Sequence, residues 1–148
     1  MNGTRRGSPV EILLIEDDPG DVVLTRRALA DSKVNNVIHV MQDGVEALAF
    51  LRQKPPHEEA NRPDLILLDL NLPRKGGLEV LAEVKNDPEL RQIPVVVLTT
   101  SSADEDVIRS YDLHANAYIQ KPVDLSRFLS VVHAVDEFFV SMVRLPPR

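Results

Sequence analysis

Cysteine is absent from this 148-residue chain, which excludes disulfides and thiolate metal sites but leaves the compartment open. Long apolar runs are missing too. The longest uncharged stretch, Gln92 to Ala103, is too short and too rich in Thr and Ser to cross a bilayer. The N-terminal MNGTRRGSP has two arginines but no apolar region of the length a signal peptide requires, so residues 1–8 are expected to form a disordered arm. Neither basic runs nor interleaved aromatics occur, and the net charge is −6, which disfavours a general binder of nucleic acid or of anionic membranes. The expectation is a cytoplasmic protein whose partners are proteins. The histidines, His39, His57, His114 and His133, are scattered and are assigned no chemistry.

What is present is the composition of one globular unit: 43% hydrophobic and 27% charged residues over a length able to bury a substantial core. Short runs rich in Val, Ile and Leu predict strands buried on both faces at Val10–Ile15, Val37–Met41, Leu65–Leu68, Pro94–Leu98 and Ala117–Ile119. Helical spacing lies between them. Val22, Leu24 and Leu29 predict a helix entered at Pro19. Val45, Leu48, Ala49 and Leu51 predict one after Asp43-Gly44 that stops before Pro55-Pro56. Leu78, Leu81, Val84 and Lys85 predict a third, ended by Asp87-Pro88, and Asp104 to Leu113 a fourth with Ser102 as N-cap. A fifth begins at Asp124 and runs as far as Val143, while Lys54 to Pro63 reads as a surface loop. Five βα units imply an α/β fold with a parallel sheet, right-handed crossovers and helices on both faces. The boundaries expected are an arm over 1–8, a domain over 9–136 and a helical extension and tail over 137–148.

In such a sheet ligands bind outside the carboxyl ends of the strands, near the point where strand order reverses. The polar residues at those ends are Glu16-Asp17-Asp18, Asp69, Thr99-Thr100 and Lys121-Pro122, which would converge on one rim. Carboxylates from different strands repel one another, so an intervening cation is expected. With no Cys and no nearby His, a hard divalent ion with oxygen ligands, Mg²⁺ above all, fits. In isolation the acidic triplet would read as a solvated turn and Asp69 as an N-cap before Pro73. Their joint placement favours the site. Asp18 is read as helix-start electrostatics, Asp21 as a surface acid, and Gly76-Gly77 as a helix-entry turn.

The acidic pair after the first strand, Asp69 in LILLDLNLP, Thr99 in VVVLTTSS and Lys121-Pro122 closely resemble the receiver domain of bacterial two-component response regulators. Order and spacing match over residues 9 to 135. The long loop before RPDLILLDLNLPRKGG, the LTTSSADEDVIRSYDLHAN segment and a helical tail ending in RLPP are similar to single-domain regulators that serve phytochrome-type histidine kinases. The resemblance implies a flavodoxin-like (βα)5 doubly wound sheet of order 2-1-3-4-5 with an extended C-terminal helix.

It also implies roles. Asp69 would be the phosphoacceptor, a carboxylate nucleophile forming an acyl phosphate. Mg²⁺ would be held by Asp17 and Asp69 directly, by the backbone carbonyl of Asn71, and by Glu16 through water. Lys121 would pair with Asp69 before reaction and with a phosphoryl oxygen after it, and Thr99 would bond another phosphoryl oxygen. Tyr118 would be the aromatic switch, although it also reads as a packed edge aromatic, and Pro122 would be the family's cis proline. Asn71, Thr100 and Ser101 would tune a slow dephosphorylation, so turnover as an enzyme is not expected.

From Leu125 the last helix has one apolar face that packs on the sheet and a second stripe, Val131, Phe138, Met142 and Leu145, that the domain cannot cover. A homodimer through the fourth helix, fifth strand and fifth helix follows by the same resemblance, with Tyr111, Val131, Val135, Phe138, Phe139 and Met142 at the interface. The alternative fold for this segment is a tail turned back on its own domain. For function, the resemblance implies a stand-alone receiver phosphorylated by a sensor histidine kinase of phytochrome type. Three other function classes compete. An aspartyl phosphatase would want an acid where Asn71 stands, a flavin module would find EDDPGD repelling its phosphate, and a phosphorylation-independent dimeric scaffold stays open.

Overall fold

Val-, Ile- and Leu-rich runs form the strands, and amphipathic stretches form the helices between them. In chain order these are β1 (Val10–Ile15), α1 (Pro19–Ala30), β2 (Asn36–Met41), α2 (Gly44–Leu51), β3 (Leu65–Asp69), α3 (Gly77–Asn86), β4 (Val95–Thr99) and β5 (Ala117–Gln120). The computed structural model describes residues 9–30, 35–100, 115–124 and 126–127. The expected arm, the fourth helix with its Ser102 cap, the fifth helix beyond Arg127 and the 137–148 extension therefore lie outside the described residues.

The strands make one sheet of order β2-β1-β3-β4-β5, and every pairing is parallel, the order and sense the sequence reading expected. Side-chain alternation splits the core in two. Leu13, Ile15, Ile66, Leu68 and Val97 face one side with Leu48 and Leu51 of α2 and Val80, Leu81 and Val84 of α3. Ile12, Leu14, Leu65, Leu67, Val96 and Leu98 face the other with Ala28 and Leu29 of α1. Helices on both faces explain why β3 and β4 are buried at every position. Each of these Leu and Ile side chains contributes about 1.5–3 kcal/mol on burial.

Some expectations shift. β4 starts at Val95 because Pro94 has no N–H for the ladder; its carbonyl accepts from Ile66 N–H at 2.9 Å. Leu24 is 42% exposed and Val45 43%, although both were placed on inward faces. The inward row of α1 is Val22, Thr25 and Leu29, spaced i, i+3 and i+7, which turns Leu24 toward solvent. Lys85, placed in the apolar stripe of α3, instead threads its ammonium to the carbonyl of Arg91 (3.3 Å) and to Asn116 Oδ1 (3.2 Å).

Strand order reverses at β1, which lies between β2 and β3. A crevice therefore opens between the carboxyl ends of β1 and β3. Among the described residues, no helix is long and apolar enough to cross a membrane.

Candidate functional site

The crevice is built from strand ends. Glu16 N–H still donates to Met41 O at the end of β2 (3.0 Å), so the first acid stays in the sheet's register and its side chain is fully buried. Asp17 is exposed. Asp18 then caps α1: its Oδ1 accepts from Gly20 N–H (2.8 Å) and Asp21 N–H (3.4 Å), and its carbonyl takes Val22 N–H (3.0 Å). On the neighbouring strand Asp69 ends β3, 3% exposed, with Oδ1 accepting from Asn71 N–H at 3.2 Å. The turn after it is closed by α3, where Gly77 N–H donates to Leu70 O (3.0 Å).

Glu16, Asp17 and Asp69 can each place a carboxylate oxygen within 4.8 Å of the others. Glu16 Oε2 accepts from Asp18 N–H at 3.3 Å, whereas Oε1 is a buried oxygen with no hydrogen bond. Burial pushes the Glu16 carboxyl up to about 7, a shift that the adjacent Asp69 reinforces and Lys121 opposes. A buried oxygen without a hydrogen bond, facing two further carboxyl groups, fits a hard divalent cation, because every side-chain donor is a carboxyl oxygen.

Lys121 supplies the positive charge. Its N–H donates to Thr99 O at 2.7 Å, its bond to Pro122 is cis, and its ammonium lies 3.0 Å from Asp21 Oδ2, 2.9 Å from Glu16 Oε1 and 3.3 Å from Asp69 Oδ1. The Asp21 contact is a hydrogen bond; those to Glu16 and Asp69 are ion pairs without hydrogen-bond geometry. Burial alone would lower the ammonium's pKa, but the pull of Glu16, Asp21 and Asp69 outweighs it and holds Lys121 above the ordinary lysine range.

The remaining sequence candidates differ in burial. Thr99 is buried at the end of β4, and Thr100 beside it is exposed, its carbonyl taking Gln120 Nε2 at 3.3 Å. Asn71 is exposed and touches the site through its bond to Asp69. Tyr118 is half-buried against the core face that α2 and α3 cover. Ser101, Tyr111, Val131, Val135, Phe138, Phe139 and Met142 lie outside the described residues.

Sequence reasoning missed Asp21. Read as a surface acid, it reaches across 100 positions to the ammonium. The available signal was its place in the first turn of α1, one turn beyond the acids that end β1.

Comparison with known proteins agrees with this geometry. The profile of the Response regulator receiver domain matches residues 12–133. Response regulator Rcp1 of Synechocystis sp. is 46% identical over 138 residues, covering 93% of this chain and 94% of its own. Its Mn²⁺-bound crystal structure superposes with a TM-score of 0.74 over 93% of this chain and 99% of that one. The phosphorylated cyanobacterial phytochrome response regulator RcpA is 50% identical, with a TM-score of 0.75 over 94% and 99% of the two chains. The bacteriophytochrome response regulator RtBRR is 43% identical, with a TM-score of 0.80 over 86% and 78%.

Proposed function

This chain belongs to the response regulator receiver family, and on that premise we propose that it accepts a phosphoryl group on Asp69 from a sensor histidine kinase of phytochrome type. The observation that carries the proposal is the buried Asp69 carboxylate beside both the Lys121 ammonium and the hydrogen-bond-free oxygen of Glu16. The kinase class is supported by two of the relatives, RtBRR and RcpA, which are phytochrome response regulators, the second crystallised phosphorylated.

A phosphoryl group is anionic, and so is its acceptor. When bound, a divalent cation such as Mg²⁺ offsets that charge, and Glu16, Asp17, Asp69 and the Asn71 carbonyl would hold it. Asp69 attacks phosphorus in line with the leaving group. Lys121 stands where it can take a phosphoryl oxygen once the acyl phosphate forms. Thr99 at the end of β4 would bond another oxygen, and Tyr118 on β5 would turn inward in response, changing the surface offered to a partner. Asn71 and Thr100 supply no general base, so hydrolysis of the acyl phosphate is slow. The sequence supports a homodimer through the apolar stripe of Phe138, Phe139 and Met142, and sedimentation of the intact chain against one truncated after Asp136 tests it.

The central test is intact mass after incubation with acetyl phosphate and Mg²⁺. The wild-type chain gains one phosphoryl group; Asp69→Asn and an EDTA-treated sample gain none. A gain that survives Asp69→Asn would overturn the assignment.

A further inference from the structure

Lys121 has three carboxylate neighbours, and they are not equivalent. Glu16 and Asp69 belong to the acidic set suited to a cation; Asp21 does not. The Asp21 contact is the one with hydrogen-bond geometry, at 3.0 Å. Binding of a divalent ion would commit oxygens of Glu16 and Asp69 and set two positive charges near the ammonium. Two of the attractions that hold Lys121 in place would then weaken, and a repulsion would be added. Asp21 keeps its grip because it lies on α1, outside the cation's donors, with its carboxylate at the positive end of that helix.

From this we infer that Asp21 is a positioning residue: it anchors the Lys121 ammonium beside Asp69 while the acidic set holds its metal. The inference rests on the receiver reading above. It explains why a partly exposed acid, with a side chain 28% accessible, turns toward the crevice and not toward solvent. In the transfer from acetyl phosphate, an Asp69 oxygen forms a bond to phosphorus as the phosphorus–oxygen bond to acetate breaks. Acetate leaves with the electron pair and no proton is consumed. An ammonium held in reach stabilises the charge on the migrating phosphoryl oxygens. One that swings into solvent does not.

The test is a double-mutant cycle on the full chain. Asp21→Asn lowers the second-order rate constant for phosphorylation by acetyl phosphate and Mg²⁺ about five- to tenfold, the scale of one partly exposed charge-assisted hydrogen bond. Asp21→Glu restores most of the rate. Lys121→Met lowers the rate further, and adding Asp21→Asn to it changes nothing more. A second readout needs no phosphorylation. The ¹⁵N signal of the Lys121 ammonium is protected from exchange in Mg²⁺-loaded wild type and is lost in Asp21→Asn. An equal slowing in both backgrounds, an unchanged rate in Asp21→Asn, or an ammonium signal that persists without Asp21 would overturn the inference. If the wild-type chain takes no phosphoryl group, the receiver reading fails, and the ammonium signal still decides the role of Asp21.

Discussion

Gly77→Ala should damage the fold and the site together, for a reason visible one bond from Asp69. A Cβ on Gly77 would stand 2.5 Å from Leu70 Cα and 2.6 Å from Asp69 O, with Leu70 C at 3.0 Å. All three atoms are backbone, so no side-chain rotation relieves the clash. The helix must move from the strand end, or the Asp69–Leu70 turn must deform. Overpacking of this kind costs about 1–3 kcal/mol. Better helix propensity returns at most about 1 kcal/mol, and less in a first turn. For a domain of this size the net cost of about 0.5–2.5 kcal/mol corresponds to a fall in Tm of about 2–8 °C. Gly76→Ala is the control. Its Cβ would meet nothing closer than Glu79 Oε1 at 3.9 Å, and its φ of −71° suits any residue. Losing a glycine from the unfolded chain helps by about 0.4–1 kcal/mol, while alanine caps a helix less well, so its Tm should move by about 1–2 °C at most. Thermal melts by circular dichroism, in EDTA, measure both. Mn²⁺ titration by calorimetry then reads the site, and Gly77→Ala should bind more weakly than Gly76→Ala. Equal Tm values for the two variants would refute the packing argument.

Two further predictions follow from charge. Lys121→Met leaves the fully buried Glu16 and the nearly buried Asp69 without their ammonium, and should cost about 2–4 kcal/mol in urea unfolding at pH 8. Added Mg²⁺ should return part of that loss, and an unchanged urea midpoint in EDTA would show that the ion pairs are not holding the crevice. Glu83 accepts from Lys75, which holds its carboxyl below the ordinary range, and Arg52 adds to the effect at 3.2 Å. A lowered folded-state pKa stabilises above the unfolded value and is lost as pH falls through the folded one. With both partners about a third exposed, screening leaves about 0.5 kcal/mol. Glu83→Gln should therefore lower the urea midpoint slightly at pH 7 and match wild type at about pH 3, whereas a gap that widens in acid would reverse the sign of the reasoning.

Most of the sheet could be read from local pattern because a strand buried on both faces must be apolar at every position, and LILLD and VVVLT are so up to their polar last residue. The strand-end polar residues could be read for the same reason: Glu16, Asp69, Thr99 and Lys121 stand where an apolar run stops, and a parallel sheet brings such stops to one edge. Helix faces were less legible. Leu24 and Val45 satisfy an apolar count but point outward, because the face of a short helix is chosen by what it packs on and not by its own spacing.

Residue identity and order alone thus determined the α/β fold class and which polar residues, Glu16, Asp17, Asp69, Thr99 and Lys121, stand at the strand ends, because buried strands and their ends impose strict local requirements on sequence. Only the tertiary structure decided which acids share Lys121, that Glu16 is buried with an oxygen left without a hydrogen bond, and that Gly77 presses on the backbone of Asp69. Those facts depend on distances between residues far apart in the chain, as with Asp21 and Lys121, and no local pattern encodes the angle at which a helix leaves a strand.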